Sequence, residues 1–221
     1  MLVISSDTFP VYAHHREVWK TYMRSHPDID CYFIQYNPFV FVPTLTDTTL
    51  MLRGREHYAT ILAKTVDALA FLLPRKPYTH VVRTNLSSVW DFSHLLPYLS
   101  TCPRQAFYGG MPFAPGAACG AGILLSRDVA DLLVAQRRTL LALGTHDDMD
   151  IGTFLRQFRI PLTISRRVDF LSLAQYEGSH AINIPSGTFH YRVKTVTPDR
   201  HEEPEMMRRI LRDHIYTSGR R

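Results

Sequence analysis

The stretch Thr79-His80-Val81-Val82-Arg83-Thr84-Asn85-Leu86-Ser87-Ser88 decides how the rest of the chain is read. Thr79 to Arg83 has the composition of a buried strand, and the small polar residues after it open into a loop at a sheet edge. Leu2-Val3-Ile4, stopped by Ser5, Ser6 and Asp7, repeats that pattern at the start of the chain. Ligands of open α/β sheets gather at such carboxyl edges.

Outward from this strand, helical and strand-like segments alternate. Val18, Trp19, Tyr22 and Met23 recur at helical spacing between Ala13 and Ser25, and Pro27 ends the run. Cys31 to Tyr36 reads as a second strand and Pro38 to Thr49 as a long loop. Tyr58, Ile61, Leu62, Thr65, Leu69 and Leu72 share one face of a helix that Pro74 terminates. Ser88 is placed to N-cap a helix through Leu96. Ala106–Tyr108 and Ile123–Leu125 read as strands joined by a Gly/Pro/Ala loop. Helices over Asp128–Leu143 and Asp148–Phe158, a strand over Leu162–Ile164, and a helix over Glu205–Ile215 behind Pro204 complete the pattern. Such alternation predicts one α/β domain over residues 1–221, with a mixed, mostly parallel central sheet flanked by helices.

The 221 residues are 45% hydrophobic and 20% charged, an ordinary globular composition with room for a substantial core. A net charge of +5 suits anionic partners, but the basic residues are scattered pairs (Arg137-Arg138, Arg166-Arg167, Arg220-Arg221), so a diphosphate is a better expectation than nucleic acid. Cys31, Cys102 and Cys119 cannot all pair within one chain and none has a close Cys or His at zinc spacing, so free thiols in a reducing compartment are expected. No run of about 20 apolar residues is present to span a bilayer. Met1 leads straight into Leu2 with no signal-like segment, so the expected location is cytoplasmic.

Two further segments carry chemistry. Asp147, Asp148 and Asp150 follow the Gly144-Thr145-His146 turn at a helix start, where one carboxylate suffices as a cap and three oversupply negative charge. A carboxylate at the sheet mouth can take a proton from an alcohol. In Phe189-His190-Tyr191-Arg192-Val193-Lys194, strand alternation puts His190, Arg192 and Lys194 on one face, where three cations would meet a pyrophosphate. A solvated edge is the plainer reading of the same pattern. Gly120-Ala121-Gly122 lacks the third glycine of a dinucleotide fingerprint and no Gly-Lys-Ser/Thr follows, so neither of those phosphate-binding motifs is present.

Taken together, the segments resemble glycosyltransferases of the A-type (GT-A, Rossmann-like) fold, most closely the β-1,3-galactosyltransferase-like group and its soluble viral and bacterial relatives. Arg16-Glu17-Val18-Trp19 is similar to that group's early Arg-x-x-Trp helix, and Ile61-Leu62-Ala63-Lys64-Thr65 to its helix with a Lys-Thr pair. Gly120-Ala121-Gly122 through Ser126-Arg127-Asp128 resembles its Gly-x-Gly-Tyr-x-x-Ser segment. Asp147-Asp148-Met149-Asp150-Ile151-Gly152 resembles Glu-Asp-Val-x-x-Gly, which puts Asp148 on the family's catalytic base. The departure is at Asn85-Leu86-Ser87, where the family carries its metal-binding aspartates. Asn and Ser replace carboxylates poorly on Mn²⁺ or Mg²⁺.

The resemblance implies an inverting transfer from a nucleotide sugar, with uridine diphosphate as the expected carrier, to a glycan hydroxyl deprotonated by Asp148. Donor contacts are expected from Ser5, Ser6, Asp7, Thr8, Lys64, Arg83, Thr84, Asn85, Ser87, His190, Arg192 and Lys194, and acceptor contacts from Gly120, Gly122 and Asp147. Metal dependence stays open between a metal-free site and Mn²⁺ or Mg²⁺ held by Asp91 or the Asp28/Asp30 pair. The alternative is a catalytically inactive relative that binds carbohydrate or nucleotide. No nucleic-acid partner and no membrane span are expected.

Overall fold

The computed structural model describes residues 1–144, 146–178 and 184–216; Thr145 and the Arg220-Arg221 pair lie outside the described residues. In chain order the first elements are β1 (Leu2–Ile4), α1 (Val11–Lys20), β2 (Tyr32–Asn37), β3 (Thr44–Leu45), β4 (Thr49–Arg53), α2 (Ile61–Leu72) and β5 (His80–Asn85). Then come β6 (Ser88–Trp90), α3 (Phe92–Thr101), β7 (Tyr108–Ala114), β8 (Ala117–Ser126), α4 (Arg127–Ala135), α5 (Arg137–Leu141) and α6 (Asp147–Gln157). The last are β9 (Leu162–Ile164), β10 (Val168–Phe170), α7 (Leu173–Gly178), β11 (His190–Val193) and α8 (Glu203–Ile210), which a π-type turn over Leu211–Ile215 extends.

These elements pack as two compact units, the first from residues 1–6, 29–85 and 102–165, the second from 7–28, 86–101 and 166–221. The first holds an eight-stranded sheet in the order β3-β4-β2-β1-β5-β8-β7-β9. The run β4-β2-β1-β5 is parallel, while β5-β8-β7 and β3-β4 are antiparallel, so the sheet is mixed and largely parallel as expected. Period-2 alternation sends Leu2 and Ile4, Ile34 and Tyr36, and Leu50 and Leu52 into one core with Leu62, Val66 and Leu69 of α2 and Ile151 and Phe154 of α6. Fully buried side chains such as Ile34 and Leu50 each contribute about 1.5–3 kcal/mol relative to exposure.

The second unit is built on a smaller sheet, β10-β11-β6. Trp19 of α1 is fully buried there; its ring stacks on Tyr22 at 5.0 Å and its Nε1 donates to the Leu86 carbonyl at 2.9 Å. A polar knot is buried beside α1: Glu203 accepts from Arg200 at 2.6 Å and meets His15 at 3.2 Å. Burial lowers the His15 pKa, and Glu203 opposes the shift.

Several local expectations are corrected. Ser88 does not cap a helix: it lies in β6, opposite Arg192 in β11, and the Asp91 carboxylate holds the start of α3 by accepting from the Ser93 and His94 amides. The loop over Pro38–Thr49 contains β3. The segment expected to join two short strands instead forms the long hairpin β7–β8, because Ala and Gly side chains let that backbone stay buried and paired. The helix expected over Asp128–Leu143 breaks into α4 and α5 at Gln136, and the C-terminal helix begins at Glu203, with Pro204 inside its first turn rather than ahead of it.

Candidate functional site

In the first unit β1 and β5 run parallel with Ile4 opposite Asn85, so Ser5 and Asn85 stand at one sheet edge. Antiparallel β8, with Gly122 opposite Thr84, brings Gly120 to the same edge. The first turn of α6 completes the arrangement.

Arg83 is the centre of this cluster. The residue is 4% exposed; its guanidinium donates to the Gly120 carbonyl and to the Asp147 carboxylate. The neighbouring Asp148 accepts from the Gly120 amide at 3.0 Å through Oδ2 and from the Met149 amide at 3.0 Å through Oδ1. A Cβ on Gly120 would sit 2.5 Å from an Arg83 nitrogen, so a larger residue there would displace the guanidinium. None of the three aspartates is the N-cap residue, a position held by His146, but Asp148 accepts one of the helix's first amides, that of Met149. Asp147 and Asp148 fall in the first turn, where the helix dipole stabilises negative charge, while Asp150 is buried.

Sequence reading places Tyr58 on a helical core face, but the structure puts it in solvent at 65% exposure, in a short 3-10 turn before α2. Its ring lies edge-on to His146 at 6.0 Å. Its hydroxyl pKa is raised by partial burial and then by the negative charge of Asp147 and Asp148. No motif signals this residue.

The other expected donor-binding residues of the first unit divide by exposure. Lys64 is almost wholly buried and donates to the Ser5 carbonyl at 2.8 Å and to Glu56 at 2.6 Å, so it fixes the backbone where β1 ends. Burial lowers its pKa against the opposing pull of Glu56. Ser5 and Thr84 are buried, and the Thr84 hydroxyl donates to the Ala121 carbonyl at 2.6 Å. Ser6 and Asn85 are partly open. Gly122, expected at the acceptor, is buried within β8.

In the second unit, Asp7 and Thr8 are exposed, and Asp7 pairs with Arg16 at 2.6 Å. Ser87 is buried and its carbonyl accepts from the Val193 amide at 2.8 Å. The expected trio of cations on β11 is corrected. His190 is 2% exposed, stacks on Trp90 at 3.9 Å, and has its pKa driven well below the ordinary value by burial and then by Arg167 and Arg192. It is therefore neutral at neutral pH. Arg192, opposite Asp169 and Ser88, is partly exposed, and Lys194, just past the end of β11, is exposed.

A divalent ion does not fit the residues of the Asn85-Leu86-Ser87 segment. Asn85 and Ser87 offer no carboxylate, and Leu86 is apolar, buried and tied to Trp19 through its carbonyl. Hard cations need several charged oxygens. Asp91 is engaged in capping α3 and with His94 at 2.7 Å, and Asp30 with Lys76 at 2.7 Å, while Asp28 is exposed, 3.9 Å from His26. Among the described residues no group of three His, Cys, Asp or Glu side chains is placed to hold a metal.

No family model matches the sequence, and neither does any curated protein. Solved structures do match. One is a glycosyltransferase involved in the glycosylation of the major capsid of PBCV-1, 9% identical, with a TM-score of 0.51 over 94% of this chain and 98% of that one. The likeness is one of fold: this chain has the α/β architecture of that glycosyltransferase.

Proposed function

We propose that this protein is a glycosyltransferase that moves a sugar from a nucleotide sugar, with uridine diphosphate as leaving group, to a glycan hydroxyl with inversion. The observation that carries the reading is the Arg83–Asp147–Asp148–Gly120 cluster at the carboxyl edge of a sheet with a glycosyltransferase fold. Arg83 neutralises Asp147, and the two amide bonds hold Asp148 in place while leaving each of its oxygens a free lone pair.

In the step itself, the acceptor O–H gives its proton to Asp148 as its oxygen attacks the anomeric carbon. The bond from that carbon to the diphosphate oxygen breaks, and the diphosphate leaves with the electron pair. Lys64 positions the Ser5 backbone for the nucleotide, and Ser6 and Asn85 line the donor side of the same sheet edge. Gly120 and Asp147 border the acceptor. His190, being neutral, supports Trp90 and Ser88 in place of a charged contact.

The test is calorimetric titration with uridine diphosphate in chelator and again with Mn²⁺, followed by turnover against a panel of uridine diphosphate sugars. Binding in chelator and release of diphosphate support the proposal; no binding under either condition overturns the uridine donor. A second reading, binding without transfer, draws on the carboxylate-free Asn85-Leu86-Ser87 segment. It predicts the same titration and no turnover.

A further inference from the structure

The loop between β2 and β3 is Pro38-Phe39-Val40-Phe41-Val42-Pro43, a run of apolar residues bracketed by two prolines. Burial is the ordinary fate of such an apolar segment. The structure does the opposite: Phe39 is 83% exposed, Phe41 82% and Val42 72%. Prolines at both ends restrict the backbone, so the loop has little freedom to fold its rings away.

Cations stand beside these rings. Arg53, at the end of β4, holds its guanidinium 5.7 Å above the Phe41 ring, and exposed Arg55 follows it. Neither arginine forms an ion pair among the described residues. The β3–β4 pairing sets Arg53 at the end of the hairpin where Phe41 and Val42 enter. The acidic residue of this hairpin, Asp47, lies in its opposite turn.

We infer that this loop docks the protein on an anionic lipid surface, with Phe39, Phe41 and Val42 entering the acyl boundary and Arg53 and Arg55 meeting lipid phosphates. A protein partner is less well matched. A stable protein interface takes about 800 Å² from each side, whereas two phenylalanines and a valine on one loop offer roughly half of that. A bilayer needs no complementary shape, only apolar side chains with basic neighbours at the headgroup level. Surface docking of this kind is distinct from spanning: no described helix is long and apolar enough to cross a membrane. The inference is independent of the glycosyl-transfer proposal.

The experiment is flotation of the protein with vesicles of phosphatidylcholine alone and of phosphatidylcholine with phosphatidylserine, at low and high salt. Binding is expected to the anionic vesicles, to weaken with salt, and to fall roughly tenfold or more in Phe39→Ser/Phe41→Ser and in Arg53→Glu/Arg55→Glu. Circular dichroism confirms that both variants fold, and the site on α6 is untouched by either. No flotation with either vesicle, or flotation that the Phe pair does not alter, overturns the inference. Sedimentation velocity gives a further arm: self-association that Phe39→Ser/Phe41→Ser abolishes, without vesicle binding, would assign the loop to a second copy of the chain and overturn the lipid assignment.

Discussion

The Asp148 carboxylate accepts a hydrogen bond from the Gly120 amide at 3.0 Å, which ties the first turn of α6 to β8. The bond aims a carboxylate at the sheet edge without requiring any side chain on Gly120. Its consequence for activity can be measured directly. In Asp148→Asn the amide keeps an oxygen for the Gly120 N–H but cannot take a proton, so kcat should fall roughly a hundredfold or more while KM for the donor changes little. Steady-state turnover against a uridine diphosphate sugar checks this, and unchanged kcat removes Asp148 from the mechanism.

Arg83 and Asp147 form a nearly buried ion pair, with side chains 5% and 11% exposed. Removing one partner strands the other, so Arg83→Met should cost about 3–5 kcal/mol. The double variant Arg83→Met/Asp147→Asn should recover part of that loss. Urea midpoints across the four proteins of the cycle give the coupling energy; strictly additive effects would mean that the pair does not stabilise the fold.

Two helical glycines make opposite demands. A Cβ on Gly152 would lie 2.7 Å from Ala117 and from the Gly116 carbonyl, whereas one on Gly178 meets nothing within 4 Å. Gly152→Ala should destabilise by about 1–3 kcal/mol as α6 is pushed off β8. Gly178→Ala should be neutral or stabilising, by up to about 1 kcal/mol. Thermal unfolding of the two variants separates them, and equal Tm shifts would refute the packing argument.

The buried histidines predict a pH dependence. His15 and His190 both have pKa values lowered from the ordinary 6.5, with burial the leading cause. The unfolded chain takes up these protons as pH falls through 6.5 while the folded chain does not. Stability is therefore fully present above that pH and declines below it, toward the lower folded-state values. Each such histidine steepens the decline by at most about 1.4 kcal/mol per pH unit. Urea midpoints between neutral and mildly acid pH should show the loss, and His190→Gln should make it shallower. A slope unchanged by that substitution would mean that His190 is charged in the folded state.

Much of the architecture is legible in local pattern. Leu2–Ile4 and Leu162–Ile164 read as strands and are strands, and the Ile61–Leu72 periodicity gives α2 with the expected face in the core. The acidic run also marks the start of α6 to within one residue, Asp148 expected and Asp147 found. These features depend on alternation or 3.6-residue spacing, which neighbours along the chain determine among themselves.

Tertiary pairing decided the rest. Ser88 has the composition of a helix cap but joins β6 because Arg192, more than a hundred positions along, offers it a strand partner. Arg83 reaches Asp147 across 64 residues, and nothing local to either signals that bond. His190 reads as a cation, and burial against Trp90 makes it neutral, since charge in a dry environment costs more than a nearby ring returns. Tyr58 reads as core and stands in solvent near the two aspartates. The sequence by itself therefore determined the alternating α/β order and the chemical character of its segments, because those follow from short-range periodicity. Only the tertiary structure decided which groups meet and which keep their charge, because burial and long-range contact are properties of the packed chain.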